Sequence, residues 1–346
     1  MPGPSLDPPL SLKLADESQD ARTTHAPYDD HELAAVWRLF TFNWRLLACF
    51  IGVFVAGLIA TEFYIRPSGY LIAFAMAALY WQCGLRNAKS IAHRNPGLSY
   101  CFIAIAQVII AMSVLTSLTY VAISIDLPLW DETLLAWDRV LGFDFRYYLD
   151  FVNTHPQIIS VLAAGYGSIT WQVCGIMFLL PLAGYYRRTG EAICAFALAL
   201  FATTFISAIV PAMGVYGTLG LTASDFPLLE PQAYNATLRD GTLVREGRLH
   251  ELDLLRLVGV LTFPSFHAAS AVLYTWAFWP MRWLRLFFVP CNGVMLIATP
   301  IAGGHYFVDV IAGIVIAAAA IVAALGVSRF HAPALANTAK TADIRI

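Results

Sequence analysis

Apolar residues in this chain gather into long runs separated by short polar stretches, which is the pattern of membrane-spanning helices. A span needs about 20 mostly apolar residues. Eight runs approach that length: 46–64, 69–84, 100–125, 158–184, 192–210, 265–279, 284–301 and 306–327. The second and sixth are short. The sequence therefore predicts an all-α fold, a polytopic membrane bundle of about eight helices.

The polar stretches test this count. Arg86, Lys89 and Arg94 follow the second run, Arg187 and Arg188 the fourth, Arg282 and Arg285 the sixth, and Arg329, Lys340 and Arg345 the eighth. With eight spans these alternate loops share one side, and the bias of basic residues toward the cytoplasm puts both termini there. The opposite loops are mixed or acidic. In one of them, 130–152, Leu134, Trp137, Leu141 and Phe145 recur at helical spacing, with Asp131, Glu132, Asp138 and Arg139 elsewhere on the wheel. This predicts an amphipathic helix at the external interface, either anchoring in the outer leaflet through its aromatic residues or packing as a lid. The other, 211–261, is a long polar loop with a charged run from Arg239 to Arg248 and an Asn235-Ala-Thr237 glycosylation sequon.

Composition agrees: 59% of the 346 residues are hydrophobic and 13% charged, too apolar for a soluble domain. A net charge of −2 offers nothing to a nucleic acid. The six cysteines (Cys49, Cys83, Cys101, Cys174, Cys194, Cys291) lie inside apolar runs without metal-like spacing and read as small buried hydrophobes. Residues 1–30, rich in Pro, Ser, Asp and Thr, read as disordered, with no cleavable signal peptide, so that the first span serves as its own membrane signal.

Two stretches carry chemistry. In Thr262-Phe-Pro-Ser-Phe-His267, Ser265 is placed to cap a helix whose first turn holds His267, and the free N–H groups of that turn form an anion site. In Gly303-Gly-His305-Tyr-Phe-Val-Asp309, the histidine and aspartate lie four apart, on one helix face. A carboxylate on a histidine fixes its tautomer and leaves the other nitrogen to attack or shuttle a proton. Two crossings separate the stretches, so both emerge on the same external face. A metal site built from these residues lacks further ligands.

This pair of motifs resembles the type 2 phosphatidic acid phosphatase superfamily. Its Pro-Ser-x-His signature is matched by Pro264, Ser265 and His267, and its His-x-x-x-Asp signature by His305 and Asp309. The Phe-Pro-Ser-x-His and His-Tyr-Phe-Val-Asp runs are closer to the branch containing the inositol phosphorylceramide synthases. The resemblance implies that His305 attacks phosphorus, that Asp309 orients it, and that His267 protonates the leaving alcohol and then activates water or an acceptor. Ser265 and the N–H groups of Phe266, His267 and Ala268 would hold phosphoryl oxygens, and Gly303 and Gly304 would let backbone approach substrate. It also implies a division into a cytoplasmic tail (1–45), accessory helices (46–98), a phosphatase- or phosphotransferase-like domain with a six-helix core (99–328) and a second tail (329–346). No cofactor is implied. The expected partners are membrane lipids as substrate, with no protein partner evident. The expected location is a plasma or inner membrane, with the active site on the periplasmic or lumenal face.

The sequence departs from the main family pattern at its cations. Thr299, Thr203 and Val210 stand where arginine, lysine and arginine are expected, and Arg239 and Arg256 are the candidate replacements. Fewer cations favour a phosphodiester, with one negative charge, over a monoester carrying up to two. The expected function is lipid phosphatase or phosphotransferase. The alternatives are headgroup transfer onto a ceramide-like or diacylglycerol acceptor, and a non-catalytic lipid-binding or transport protein. The absence of a visible internal repeat weighs against a transporter.

Overall fold

The computed structural model describes residues 30–90 and 95–331. Most of the N-terminal stretch read as disordered, together with Arg94, Lys340 and Arg345, lies outside them. Chain contacts divide the protein into two units, Val36–Ala332 and the two chain ends. The first of these is described here.

The fold is all α apart from one pair of two-residue strands. Among the described residues seven helices are long and apolar enough to cross a membrane: α1 (Asp30–Ala60), α2 (Pro67–Lys89), α3 (Pro96–Ile123), α6 (Pro156–Leu182), α7 (Tyr186–Ile209), α11 (Arg282–Gly303) and α12 (Phe307–His331). Between them lie α4 (Asp131–Val140), α5 (Phe145–Asn153), α8 (Val215–Thr218), α9 (Gln232–Arg245) and α10 (Phe266–Phe278). Each predicted span has its helix, but the first starts at Asp30 instead of residue 46. The sixth, α10, has only 13 residues. At 1.5 Å per residue it covers about 20 Å, short of a hydrocarbon core of about 30 Å. Among the described residues seven helices have the length and composition of a full span, and α10 is the short member of the predicted eight.

Local chemistry sets several of these starts. Pro67, Pro96 and Pro156 occupy first helical positions, where a missing N–H costs nothing. Asn95 caps α3 by accepting from the N–H of Leu98, and Asp144 caps α5 by accepting from that of Tyr147. The residues of α3 are apolar on all sides and nearly all buried, as expected of a helix enclosed by others. It packs against α2, α6 and α7. The short α10 is likewise enclosed, by α6, α7, α11 and α12.

Polar side chains join the long helices. Gln172 of α6 donates to Asn292 of α11 at 2.9 Å. Asn43 of α1 donates to the Gly190 carbonyl of α7 at 3.0 Å, and Gln107 of α3 donates back to the Phe40 carbonyl at 2.7 Å. Such bonds fix helix register where no water competes. Outside the bundle, Ile59, Leu71, Phe205, Val315 and Val322 are exposed, an apolar surface that lipid covers. Cys49 and Cys174 are also exposed, contrary to their reading as buried hydrophobes, whereas Cys101 and Cys194 are buried.

The two intervening segments differ from expectation. Residues 130–152 form two helices, α4 and α5, broken at Gly142, whose φ of 82° ends the first. The apolar set predicted for one face is divided, with Leu134 and Phe145 buried. Trp137 and Leu141 are exposed, while Asp131, Leu134, Leu135 and Asp138 are buried. Residues 211–261 are ordered as α8, a 3-10 turn (Ala223–Asp225), α9 and strand β2 (Glu251–Leu252). The strand pairs in parallel with β1 (Tyr64–Ile65), joining this segment to the α1–α2 connection. The sequon falls within α9, with Asn235 exposed.

The start of α10 approaches α12 closely at Gly313. A Cβ at Gly313 would collide with the Ser265 carbonyl oxygen and lie 3.1 Å from the Ala269 nitrogen. Gly313→Ala is expected to cost about 1–3 kcal/mol by forcing these helices apart. Gly326→Ala, where a Cβ meets nothing within 4 Å, should be neutral or slightly stabilising. Thermal unfolding in detergent compares them, and equal melting temperatures for the two variants would refute the tight crossing.

Candidate active site

The two motifs meet where α10 and α12 begin. Ser265 caps α10 by accepting from the Ala268 N–H at 3.3 Å. Its own N–H donates to the carbonyl of Asp309 at 3.1 Å, so the start of one helix is bonded to the first turn of the other. Gly304 ends α11 in the left-handed conformation, with φ 67°, which turns the chain abruptly into His305.

His305 and Asp309 are both buried, at 3% and 0% exposure. The His305 Nδ1 lies 3.1 Å from Asp309 Oδ2, and the same oxygen accepts the Tyr306 N–H at 3.0 Å. This pairing favours the tautomer with its proton on Nδ1, leaving a lone pair on Nε2. Nε2 faces the Ser265 hydroxyl at 3.5 Å, the outer limit of a hydrogen bond. His267 stacks against the ring of Tyr166 from α6, with centroids 3.8 Å apart and planes 11° from parallel. His267, His305, Tyr166, Phe266 and Gly303 line one cavity of about 590 Å3. Its remaining wall is mostly apolar, reaching Met112 of α3 and Leu200 of α7. Among the described residues lining it there is no lysine or arginine.

The other sequence candidates are placed differently. The Ala268 N–H is turned onto Ser265, so in the first turn of α10 only those of Phe266 and His267 stay without an internal acceptor. Gly304 packs under the ring of Tyr234, and Gly303, not Gly304, faces the cavity. Arg239 and Arg256 are not brought to the histidines. They line a separate surface pocket, where Arg239 pairs with Asp240 at 2.7 Å and Arg256 with Asp253 at 3.5 Å. Thr203 and Thr299 are fully buried, each donating to a carbonyl within its own helix.

Two acidic residues that the sequence assigned to the solvent face support the site instead. Asp138 accepts the N–H groups of Phe307 and Val308, both at 2.8 Å, and so caps α12 from a different helix. Burial pushes its carboxyl above the ordinary carboxylate value, and the two N–H donors pull it back. Asp131 accepts from the Gly214 N–H at 2.8 Å, the Met213 N–H at 3.0 Å and the Tyr306 hydroxyl at 2.8 Å. The signal was present in the sequence: Asp131, Leu134, Leu135 and Asp138 fall at the i, i+3, i+4, i+7 positions of one face. No comparable signal marks Tyr166.

Asp138→Ala is expected to leave the N–H groups of Phe307 and Val308 unpaired in a buried place, at a cost of about 1–3 kcal/mol each. The melting temperature should fall, and amide exchange at residues 307 and 308 should accelerate more than elsewhere in α12. Unchanged exchange at these two amides would show that the cap contributes nothing.

The family model of the PAP2 superfamily matches residues 132–323, more than half of the chain and all of the histidine site. No curated protein and no solved structure matches it. The chain belongs to the PAP2 superfamily, as an integral membrane protein with a lipid-phosphatase-type function.

Proposed function

We propose that the protein cleaves the phosphoester of a membrane lipid through a phosphohistidine on His305. The observation that carries this reading is the buried His305–Asp309 pair beside the cavity that His305 and His267 both line, with the His305 Nε2 turned away from Asp309. Nε2 attacks phosphorus, and the leaving alkoxide takes a proton from His267. In the second step His267, now neutral, removes a proton from water or an acceptor alcohol. That oxygen attacks phosphorus, the P–N bond breaks, and His305 regains its lone pair. Asp309 stabilises the positive charge that His305 carries in between.

The site is assigned to the external face. Arg282 and Arg285 begin α11 and Arg329 lies in the last turn of α12, whereas the histidines stand at the opposite ends of these helices. The basic ends are placed on the cytoplasmic side.

Headgroup transfer from a phosphodiester lipid is a second reading, favoured by the lack of a cation among the described cavity residues. A dianionic monoester in so apolar a cavity would keep more uncompensated charge than a monoanionic diester.

Product analysis on detergent-purified protein tests both. The substrates are phosphatidic acid, isoprenyl pyrophosphate and phosphatidylinositol, each with and without ceramide. His305→Ala is expected to lower turnover by about 10³-fold or more. Full activity in that variant would sink the phosphohistidine route, and phosphatidic acid turning over far faster than any diester would sink the preference. The rate should also trace a bell against pH in the range where histidines titrate. A rate flat from acid to alkaline pH would contradict the two-histidine scheme.

A further inference from the structure

The phosphoryl group in such a reaction must be held while His305 attacks, and the family's cations are replaced here by uncharged residues. One group in the cavity is placed to take over. Tyr166 Oη and His305 Nε2 each lie 2.8 Å from the point where a Cβ at Gly303 would stand. Any residue other than glycine at 303 would therefore occupy the space between a hydroxyl donor and the attacking nitrogen. Among the described residues the Tyr166 hydroxyl has no hydrogen-bond partner, although its ring is stacked and held against His267. Of the other hydroxyls at this cavity, that of Thr119 already donates to the Thr116 carbonyl and accepts from the Val260 N–H, and that of Tyr274, also without a partner among the described residues, is not among the atoms nearest the gap at Gly303.

We infer that Tyr166 contacts the substrate, its hydroxyl donating a hydrogen bond to a non-bridging phosphoryl oxygen in the gap kept open by Gly303. This rests on the assignment of His305 as nucleophile. The physical case is one of charge economy. A phenol is protonated at neutral pH, so it supplies a donor without bringing a buried cation whose desolvation must be offset. A donor aimed at the position where phosphoryl charge collects is preorganised, because the stack on His267 fixes the ring before substrate arrives. The same stack sets the hydroxyl, the nucleophile and the acid around one small volume.

Tyr166→Phe isolates the hydroxyl, since it keeps the ring and its stack. In the full-length detergent-purified protein, the dissociation constant for tungstate, an oxyanion with the tetrahedral shape of phosphate, is measured by calorimetry. Tyr166→Phe is expected to weaken it about 3- to 10-fold with an unchanged melting temperature. For whichever lipid the wild type turns over, kcat/KM should fall about 10²-fold. Tungstate binding requires no turnover, so it decides on Tyr166 even if the phosphohistidine route fails by the His305→Ala test. Equal tungstate affinity in the two proteins overturns the inference, as does a wild type that binds no tungstate.

Discussion

The contact on which the site depends is made by backbone. Ser265 presents its carbonyl to α12 at Gly313, and its N–H bonds the carbonyl of Asp309. Only a residue without a Cβ permits that approach. Once it is made, the first turns of two helices from separate parts of the chain become neighbours, and His267 and His305 face one cavity. His305 and His267 are thus held by main chain and helix caps, the stiffest parts available, and not by long side chains.

The site also shows how a membrane protein distributes charge. Asp131, Asp138 and Asp309 are all buried; Asp131 accepts the N–H groups of Met213 and Gly214 together with the Tyr306 hydroxyl, and Asp138 and Asp309 accept backbone N–H groups at the start of α12. The free N–H groups there, which would otherwise attract an anion, are thereby taken by the protein's own carboxylates. The corresponding groups of α10 at Phe266 and His267 keep no internal acceptor. The two helix starts look alike in sequence, yet one is closed by its neighbours and the other is left for a ligand.

Around this centre, α4, α5 and the segment from Pro211 to Thr218 act as a frame. The Trp130 N–H bonds the Pro211 carbonyl, the Val215 N–H bonds that of Gly304, and the Tyr216 hydroxyl bonds that of Ile301. The turn that carries His305 is bonded on several sides to a part of the chain that has no chemistry of its own. Removing this frame would leave backbone groups unpaired in a place that water reaches poorly, which makes it part of the site in energetic terms.

The sequence by itself determined the bundle. Apolar runs long enough to cross a bilayer admit few other structures, because every backbone polar group in lipid must be bonded within its own helix. It also pointed to the His305–Asp309 pair, four apart in the chain, although His305 stands in the turn just ahead of α12 and its contact with Asp309 depends on that turn as well. What it misjudged were the relations between segments. Asp138 is buried on α4 against the N–H donors of Phe307 and Val308, and Asp131 against those of Met213 and Gly214, partners that the sequence of α4 does not name. Arg239 and Arg256 stand outside the histidine cavity because nearby acids, Asp240 and Asp253, hold them there. Tyr166 enters the site only through the packing of α6 against α10. Local periodicity reports which face of a helix is apolar, but the partner that satisfies a buried polar group comes from elsewhere in the chain, and only the tertiary structure decides which one it is.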